Sequence, residues 1–278
     1  MDVSHLLFKL ARIVTGLAVV WAIVSLAGCL SYRALLFHRS SLTLAQIRAE
    51  ADREGLAVWP TEGPAYRGWV STAAPASPRG TLVVFHGNAG LAIHRAYYSD
   101  ALGPLGFRVV LAEYPGYGAR SGALSEASLI QDGLLTAETA REAFGGPLYL
   151  WGESLGCAVA SAVAARLNPP PDGLILLTPW HNLPDLAAHL YPFLPARLIV
   201  RERFDNAANL ARYGGPTAFL IAVRDEIIPP AHAQRLFDGH TGPKRLWRFP
   251  EASHNTWPGE PGLPWWREVM DFCEMETP

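Results

Sequence analysis

The chain has 278 residues, half of them hydrophobic, and a formal net charge of −2. That length suits one large α/β domain, or one domain plus a short extra segment, and without a basic surplus no nucleic-acid partner is expected. The three cysteines, Cys29, Cys157 and Cys273, form no disulfide framework and no Cys-x-x-Cys pair; the nine histidines include no His-Glu-x-x-His, so neither a metal nor another cofactor is expected.

Residues 13–32 carry no charge and follow Lys9 and Arg12. Twenty apolar residues in a helix cross about 30 Å of bilayer, and a soluble core helix of that length would show a polar face. Leu26-Ala27-Gly28-Cys29 has the form of a bacterial lipobox, which would put cleavage before Cys29 and a lipid on it. The alternative is an uncleaved signal anchor, single-pass, with Cys29 merely a small buried residue. Residues 1–32 are thus an anchor or a signal peptide, and 33–278 a domain tethered outside the cytoplasm, although Arg33 and Arg39 after the span leave orientation open.

Leu44, Ile47 and Ala51 among charges predict an amphipathic helix over 42–55, ended by Gly55. Residues 67–72 read as a strand and 75–80 as a turn. Thr81-Leu82-Val83-Val84-Phe85 is an apolar run of strand length that opens into His86-Gly87-Asn88-Ala89-Gly90. Small residues there let the backbone turn back toward a nucleophile. The Asn88 amide is the candidate oxyanion donor, Ala89 the nearest rival, and His86 a structural loop residue. Residues 94–102 read as a helix and 107–112 as the next strand. The glycine-punctuated loop 113–122 follows, of the kind that lines a ligand crevice. Tyr114 and Tyr117 either border a substrate there or pack as a rigid turn beneath it. Ser125 is placed to cap the next helix, with Glu126 in its first turn.

Pro147-Leu148-Tyr149-Leu150-Trp151 reads as a buried strand, and the Ala-rich run 157–166 as a helix. Between them stands Gly152-Glu153-Ser154-Leu155-Gly156. Strand, sharp turn and helix around Gly-x-Ser-x-Gly form a nucleophile elbow, in which the serine Oγ stands clear of the backbone and the Leu155 amide faces a developing oxyanion. Pro169-Pro170-Pro171 ends the helix, and 173–177 is another buried strand. Residues 180–213, with Pro184, Pro192 and Pro195, interrupt the alternation and read as a short cap. Leu190, Tyr191, Phe193 and Leu194 either touch an acyl chain or pack the cap onto the body; His181 and His189 are assigned no role.

Residues 216–223 form a late strand, followed by Arg224-Asp225-Glu226, where a triad acid belongs. Glu226 is the rival carboxylate. Leu246-Trp247-Arg248-Phe249 is the last strand, and His254 in the loop after it is the expected base; His240 precedes that strand. Residues 263–275 close the chain as a helix, apolar at Trp266, Val269, Met270 and Cys273. The order Ser154, Asp225, His254 places nucleophile, acid and base at the ends of three separate strands. The imidazole would take the serine proton and later return it to the leaving group, while the carboxylate fixes the tautomer.

These runs, from Phe85-His86-Gly87-Asn88-Ala89-Gly90 through Glu113-Tyr114-Pro115-Gly116-Tyr117-Gly118 and the elbow to Ser253-His254-Asn255, resemble a branch of the α/β-hydrolase superfamily. The branch is related to serine aminopeptidases and prolyl oligopeptidases, and includes membrane-tethered lysophospholipid lipases and protein depalmitoylases. The likeness extends from about Ser40 to the C-terminus, with Leu35-Leu36-Phe37-His38 also similar to bacterial members. It implies an α/β fold with an eight-stranded, mostly parallel sheet, helices on both faces and a short cap. It also implies catalytic roles for Ser154, Asp225 and His254. The sequence departs from the branch at Gly63-Pro64-Ala65-Tyr66, where an Asp-Gly turn is usual, so the first hairpin is open. The expected activity is hydrolysis of carboxylic esters or thioesters, with small-molecule or lipid acyl esters as substrates and no cofactor. Peptide cleavage by the same triad and non-catalytic binding are the alternatives.

Overall fold

The computed structural model describes residues 3–40, 42–61, 63–73 and 75–275. Its strands are β1 (Leu56–Trp59), β2 (Gly68–Ser71), β3 (Gly80–Phe85), β4 (Phe107–Ala112), β5 (Leu148–Glu153), β6 (Gly173–Leu177), β7 (Thr217–Ala222) and β8 (Lys244–Phe249). They form one sheet in the order β1-β2-β4-β3-β5-β6-β7-β8. β1 and β2 run antiparallel and every pairing from β4 to β8 is parallel. This is the eight-stranded, mostly parallel α/β sheet that the family resemblance implied. β3, β6 and β7 are buried along their whole length, so their sequences read as unbroken apolar runs rather than alternating ones. The edge strand β8 returns to alternation.

The order reverses at β3, with β4 on one side and β5 on the other. Ligand crevices in open α/β sheets form outside the carboxyl ends of the strands at such a switch point. Phe85 and Gly152 are register partners, so the loops after β3 and β5 leave the sheet side by side.

The helices are α1 (Val3–Leu36), α2 (Leu44–Arg53), α3 (Tyr97–Leu102), α4 (Glu126–Phe144), α5 (Leu155–Ala164), α6 (Leu183–Leu190), α7 (Ala196–Ile199), α8 (Asn206–Tyr213), α9 (Pro230–Gly239) and α10 (Pro264–Cys273). α3 and α10 cover one face through Tyr98, Trp151 and Trp266, whose ring centroids lie 5.1–5.6 Å apart. α4, α5 and α9 cover the other. Thr43 caps α2 in a reciprocal box with Gln46, and Ser125 caps α4.

Three local expectations change. The run expected as one helix over 94–102 is a 3-10 turn, Ala92–Arg95, followed by α3. The first hairpin forms without an Asp-Gly turn: a 3-10 turn at Gly63–Ala65 carries the connection, and Arg67 N–H closes onto Trp59 O at 2.9 Å. Within 180–213, α6 and α7 stand over the sheet rim, whereas α8 packs on α5. There Asn206 bridges Ser161 Oγ at 2.6 Å and Trp180 O at 2.7 Å.

α1 is continuous across Cys29. Its stretch Leu7–Leu36 reaches a mean hydropathy of 2.3, and none of its most apolar window is buried.

Candidate active site

Two glycines let β5 turn directly into α5. A Cβ on Gly152 would lie 2.4 Å from Cys157 Cα, and one on Gly156 1.9 Å from Phe85 O. Both are backbone clashes, so helix, turn and neighbouring strand reach this spacing only with hydrogen there. The turn leaves Ser154 at φ 53°, ψ −111°, a conformation that an L-residue adopts only under constraint. Ser154 N–H donates to Leu177 O at 2.9 Å, and Cys157 N–H to Ser154 O at 3.0 Å, which supplies that constraint.

Ser154 Oγ lies 3.1 Å from His254 Nε2, and His254 Nδ1 lies 2.7 Å from Asp225 Oδ2. A carboxylate only accepts, so the proton belongs on Nδ1, which leaves Nε2 free to accept from the serine. Asp225 Oδ1 takes the N–H groups of Ile227 at 2.9 Å and Ile228 at 2.7 Å, fixing the carboxylate with Oδ2 toward the ring. The loops that carry acid and base are joined by backbone: Val223 N–H meets Phe249 O at 3.1 Å, and Arg224 N–H meets Ala252 O at 2.8 Å. Glu226 reaches the His254 main chain rather than its ring, at 3.4 Å from N.

The loop after β3 is held from several sides. His86 is buried, with Nδ1 2.7 Å from Gly87 O and Nε2 3.1 Å from Glu113 Oε1. Tyr114 OH donates to His86 O at 2.8 Å, and Tyr117 OH to Asn88 O at 2.7 Å. The two tyrosines are buried struts under the loop and do not border the cavity. Asn88, Ala89 and Leu155 line it, and among the described residues no backbone carbonyl takes the Asn88 or Leu155 N–H. His240 lies apart, its Nε2 3.3 Å from Gly215 O and its pKa lowered by burial. His181 and His189 have more surroundings than the sequence gave reason to expect: with His232 and Arg235 they line a second cavity, of about 560 Å³.

Ser154 and His254 open into a cavity of about 500 Å³, walled by apolar side chains that include Leu183, Leu186, Leu190 and Leu194 from 180–213 and Ile227 and Ile228 beside the acid. Phe193 stands outside it, exposed. Among the described residues no group of three or more His, Cys, Asp or Glu side chains is arranged to hold a metal ion.

A family model described as "Serine aminopeptidase, S33" matches residues 76–208. An uncharacterised protein of Mycobacterium tuberculosis is 32% identical over 195 residues, covering 68% of this chain and 67% of the relative. The chain belongs to the α/β-hydrolase superfamily. The lysophosphatidylserine lipase ABHD12 of Danio rerio is 31% identical over 176 residues, covering 56% of this chain and 46% of the lipase, so the match spans about half of that relative. Among solved structures, an esterase of Pyrococcus furiosus superposes with a TM-score of 0.60 at 15% identity, covering 85% of this chain and 94% of that one. Est1E of Butyrivibrio proteoclasticus, solved with ferulic acid bound, gives 0.57 at 16% identity, over 71% and 88%. These last two likenesses concern the fold.

In this α/β-hydrolase two parts of the cavity are ones that the sequence did not assign to the site. Arg95, beyond the loop after β3, forks onto Glu153 next to Ser154. Gly28, Tyr32, Leu35, Leu36 and His38 reach the cavity from α1 and the turn after it. The first depends on a contact between distant elements. Of the second, Gly28 and Tyr32 lie in a segment whose composition speaks of membrane, and Leu35-Leu36-Phe37-His38 carries a family likeness that names no place in the site.

Proposed function

We propose that this chain is a serine hydrolase that cleaves carboxylic esters or thioesters at a membrane surface. The observation that carries the reading is the hydrogen-bonded series Ser154 Oγ, His254 and Asp225 on the floor of an apolar cavity. In the reaction His254 Nε2 takes the Ser154 proton as Oγ adds to the acyl carbon. The Asn88 and Leu155 amides stabilise the oxyanion, a contribution worth about 10²–10³ in rate per donor. Collapse expels the alcohol or thiol, protonated by His254, and leaves an acyl group on Ser154. Water, deprotonated by the same imidazole, then releases the acid and restores the serine.

Esters are preferred over peptides bearing a free amine because the carboxylate in the cavity lining, Glu153, is neutralised by Arg95. The name of one relative, a lysophosphatidylserine lipase, agrees with an acyl ester substrate. Residues 1–32 are read as a retained anchor and 33–278 as the hydrolase domain. In support of retention, Trp21 and Gly28 both stand ahead of Cys29: Trp21 bonds to Phe193 O, and Gly28 lines the cavity together with Ile199.

A fluorophosphonate probe tests the chemistry. Labelling of the wild type and none of Ser154→Ala is the expected result, together with loss of p-nitrophenyl ester hydrolysis. Equal behaviour of the two proteins would refute the assignment.

A further inference from the structure

One wall of the cavity over Ser154 comes from the helix read as the membrane anchor. Gly28, Tyr32, Leu35 and Leu36 of α1 line it together with Leu190 of α6 and Ile199 of α7. The helix is firmly docked there. A Cβ on Gly28 would sit 3.6 Å from Ile199 Cδ1, ordinary contact distance. Arg33 pairs with Glu202 at 2.7 Å, and Tyr32 OH donates to the same carboxylate, whose side chain is 3% exposed. Past the helix, His38 N–H donates to Asn88 O at 3.0 Å, so the chain leaving α1 is bonded to the loop that carries the candidate oxyanion amide.

The cap also runs back along the apolar part of α1. Trp21 Nε1–H donates to Phe193 O at 2.7 Å. Trp21 lies about 16 Å before Tyr32 along a straight helix, well inside the uncharged segment. The cap next to it carries Phe193 and Leu198, 87% and 84% exposed, and apolar side chains of α1 such as Leu17, Val20 and Val24 are exposed as well. Single exposed apolar residues are ordinary. Exposed apolar side chains on a segment bonded to an uncovered apolar helix call for an apolar phase.

We propose that the anchor is a wall of the acyl pocket, and that the acyl chain of a bilayer lipid reaches Ser154 sideways, between α1 and α6–α7, without crossing water. The occupant is an acyl chain because the lining is mostly apolar and part of it is supplied by α1, a helix long and apolar enough to lie in lipid. Only the chemistry at Ser154 rests on the hydrolase reading; the route does not.

Two measurements on the full chain in phosphatidylcholine vesicles test this. First, Ser154→Ala is irradiated with a phosphatidylcholine bearing a diazirine on its acyl chain, and adducts are mapped by mass spectrometry. Adducts on the peptide holding 190–199 as well as on α1 are expected; adducts on α1 alone overturn the proposal. Second, Phe193→Asp/Leu198→Asp is compared with wild type on a long-chain lysophospholipid in the vesicle and on water-soluble p-nitrophenyl butyrate. Hydrolysis of the vesicle substrate should fall about tenfold or more, with butyrate hydrolysis and fluorophosphonate labelling retained. An equal fall on both substrates, or no fall, refutes the lateral route. A wild type inert toward both esters and the probe would instead refute the hydrolase reading, and the adduct map would still decide the route.

Discussion

Arg95 grips Glu153, the residue just before Ser154, with Nη2 2.7 Å from Oε1 and Nε 3.2 Å from Oε2. Both side chains are largely buried, and Tyr97 OH adds a contact at 3.4 Å. Burial opposes the charge on Arg95, but the Glu153 carboxylate outweighs it and holds the guanidinium above its ordinary pKa. The fork ties the loop after β3 to the elbow. Arg95→Ala strands a buried carboxylate and should cost about 3–5 kcal/mol, while Arg95→Ala/Glu153→Ala should recover part of that. Denaturant melts of wild type, Arg95→Ala, Glu153→Ala and the double variant in detergent give the coupling energy. A coupling near zero would mean that the pair is decorative.

Asp225 spends one carboxylate oxygen on two backbone amides and the other on His254. In Asp225→Asn an NH2 group can face Nδ1, and the imidazole then adopts the wrong tautomer. The expected fall in kcat is about 10⁴, with the melting temperature little changed. Retained activity would point to Glu226, which already reaches the His254 main chain, as the working carboxylate.

The elbow glycines predict a sharp positional contrast. Gly156→Ala drives a methyl group against Phe85 O and Gly152→Ala against Cys157 Cα, contacts between backbones that cannot both relax. Either variant should lose well over about 2 kcal/mol or fail to accumulate folded. Gly239→Ala, at the end of α9 with nothing beyond its own stretch of helix within 4 Å of the added carbon, should be neutral or slightly stabilising. Thermal melts of the three against wild type check the order.

Tyr117→Phe isolates one hydrogen bond. It keeps the buried ring and removes only the donor to Asn88 O. The loop then retains its bond from His38 and loses its inner strut, for an expected cost of about 1 kcal/mol. The effect should fall mainly on kcat for p-nitrophenyl esters, since the strut holds the loop that carries the candidate oxyanion donor; a change confined to KM would place the loop's role in binding.

The sequence made strands such as β3 and β7 readable because burial on both faces leaves an unbroken apolar run. Of the candidate triad, Ser154 and Asp225 were legible for a related reason, since each stands just past such a run, whereas His254 follows the alternating β8 and was placed by motif order. β1 was not legible. Its four residues, Leu-Ala-Val-Trp, become a strand through pairing with β2, not through a pattern of their own. Tyr114 and Tyr117 could be placed in the right loop, but whether they faced ligand or core depended on hydrogen bonds to a neighbouring turn. The docking of α1 was hidden more deeply, because it depends on Glu202 in a distant loop and on the shape of α7.

The second cavity predicts how stability depends on pH. His232 is 6% exposed, stacked on His181 at 4.7 Å and edge-on to His189 at 5.5 Å. Burial, and then the positive potential of His181, His189 and Arg235, outweigh Asp185 and lower its pKa from the ordinary 6.5 to about 4. As pH falls, the unfolded chain therefore takes up this proton first. Stability from this group is intact above 6.5, declines between 6.5 and 4, and declines no further below. The slope in that window is at most about 1.4 kcal/mol per pH unit. Asp185 acts in a different window: hydrogen bonds from His181 and Asn182 and the Arg197 charge hold its carboxyl well below the usual range, so its contribution is lost only under stronger acid. His232→Phe keeps the ring and removes the titration. Melting temperatures measured from pH 7 to pH 4 should flatten in this variant relative to wild type; parallel curves would assign the acid sensitivity to groups other than His232.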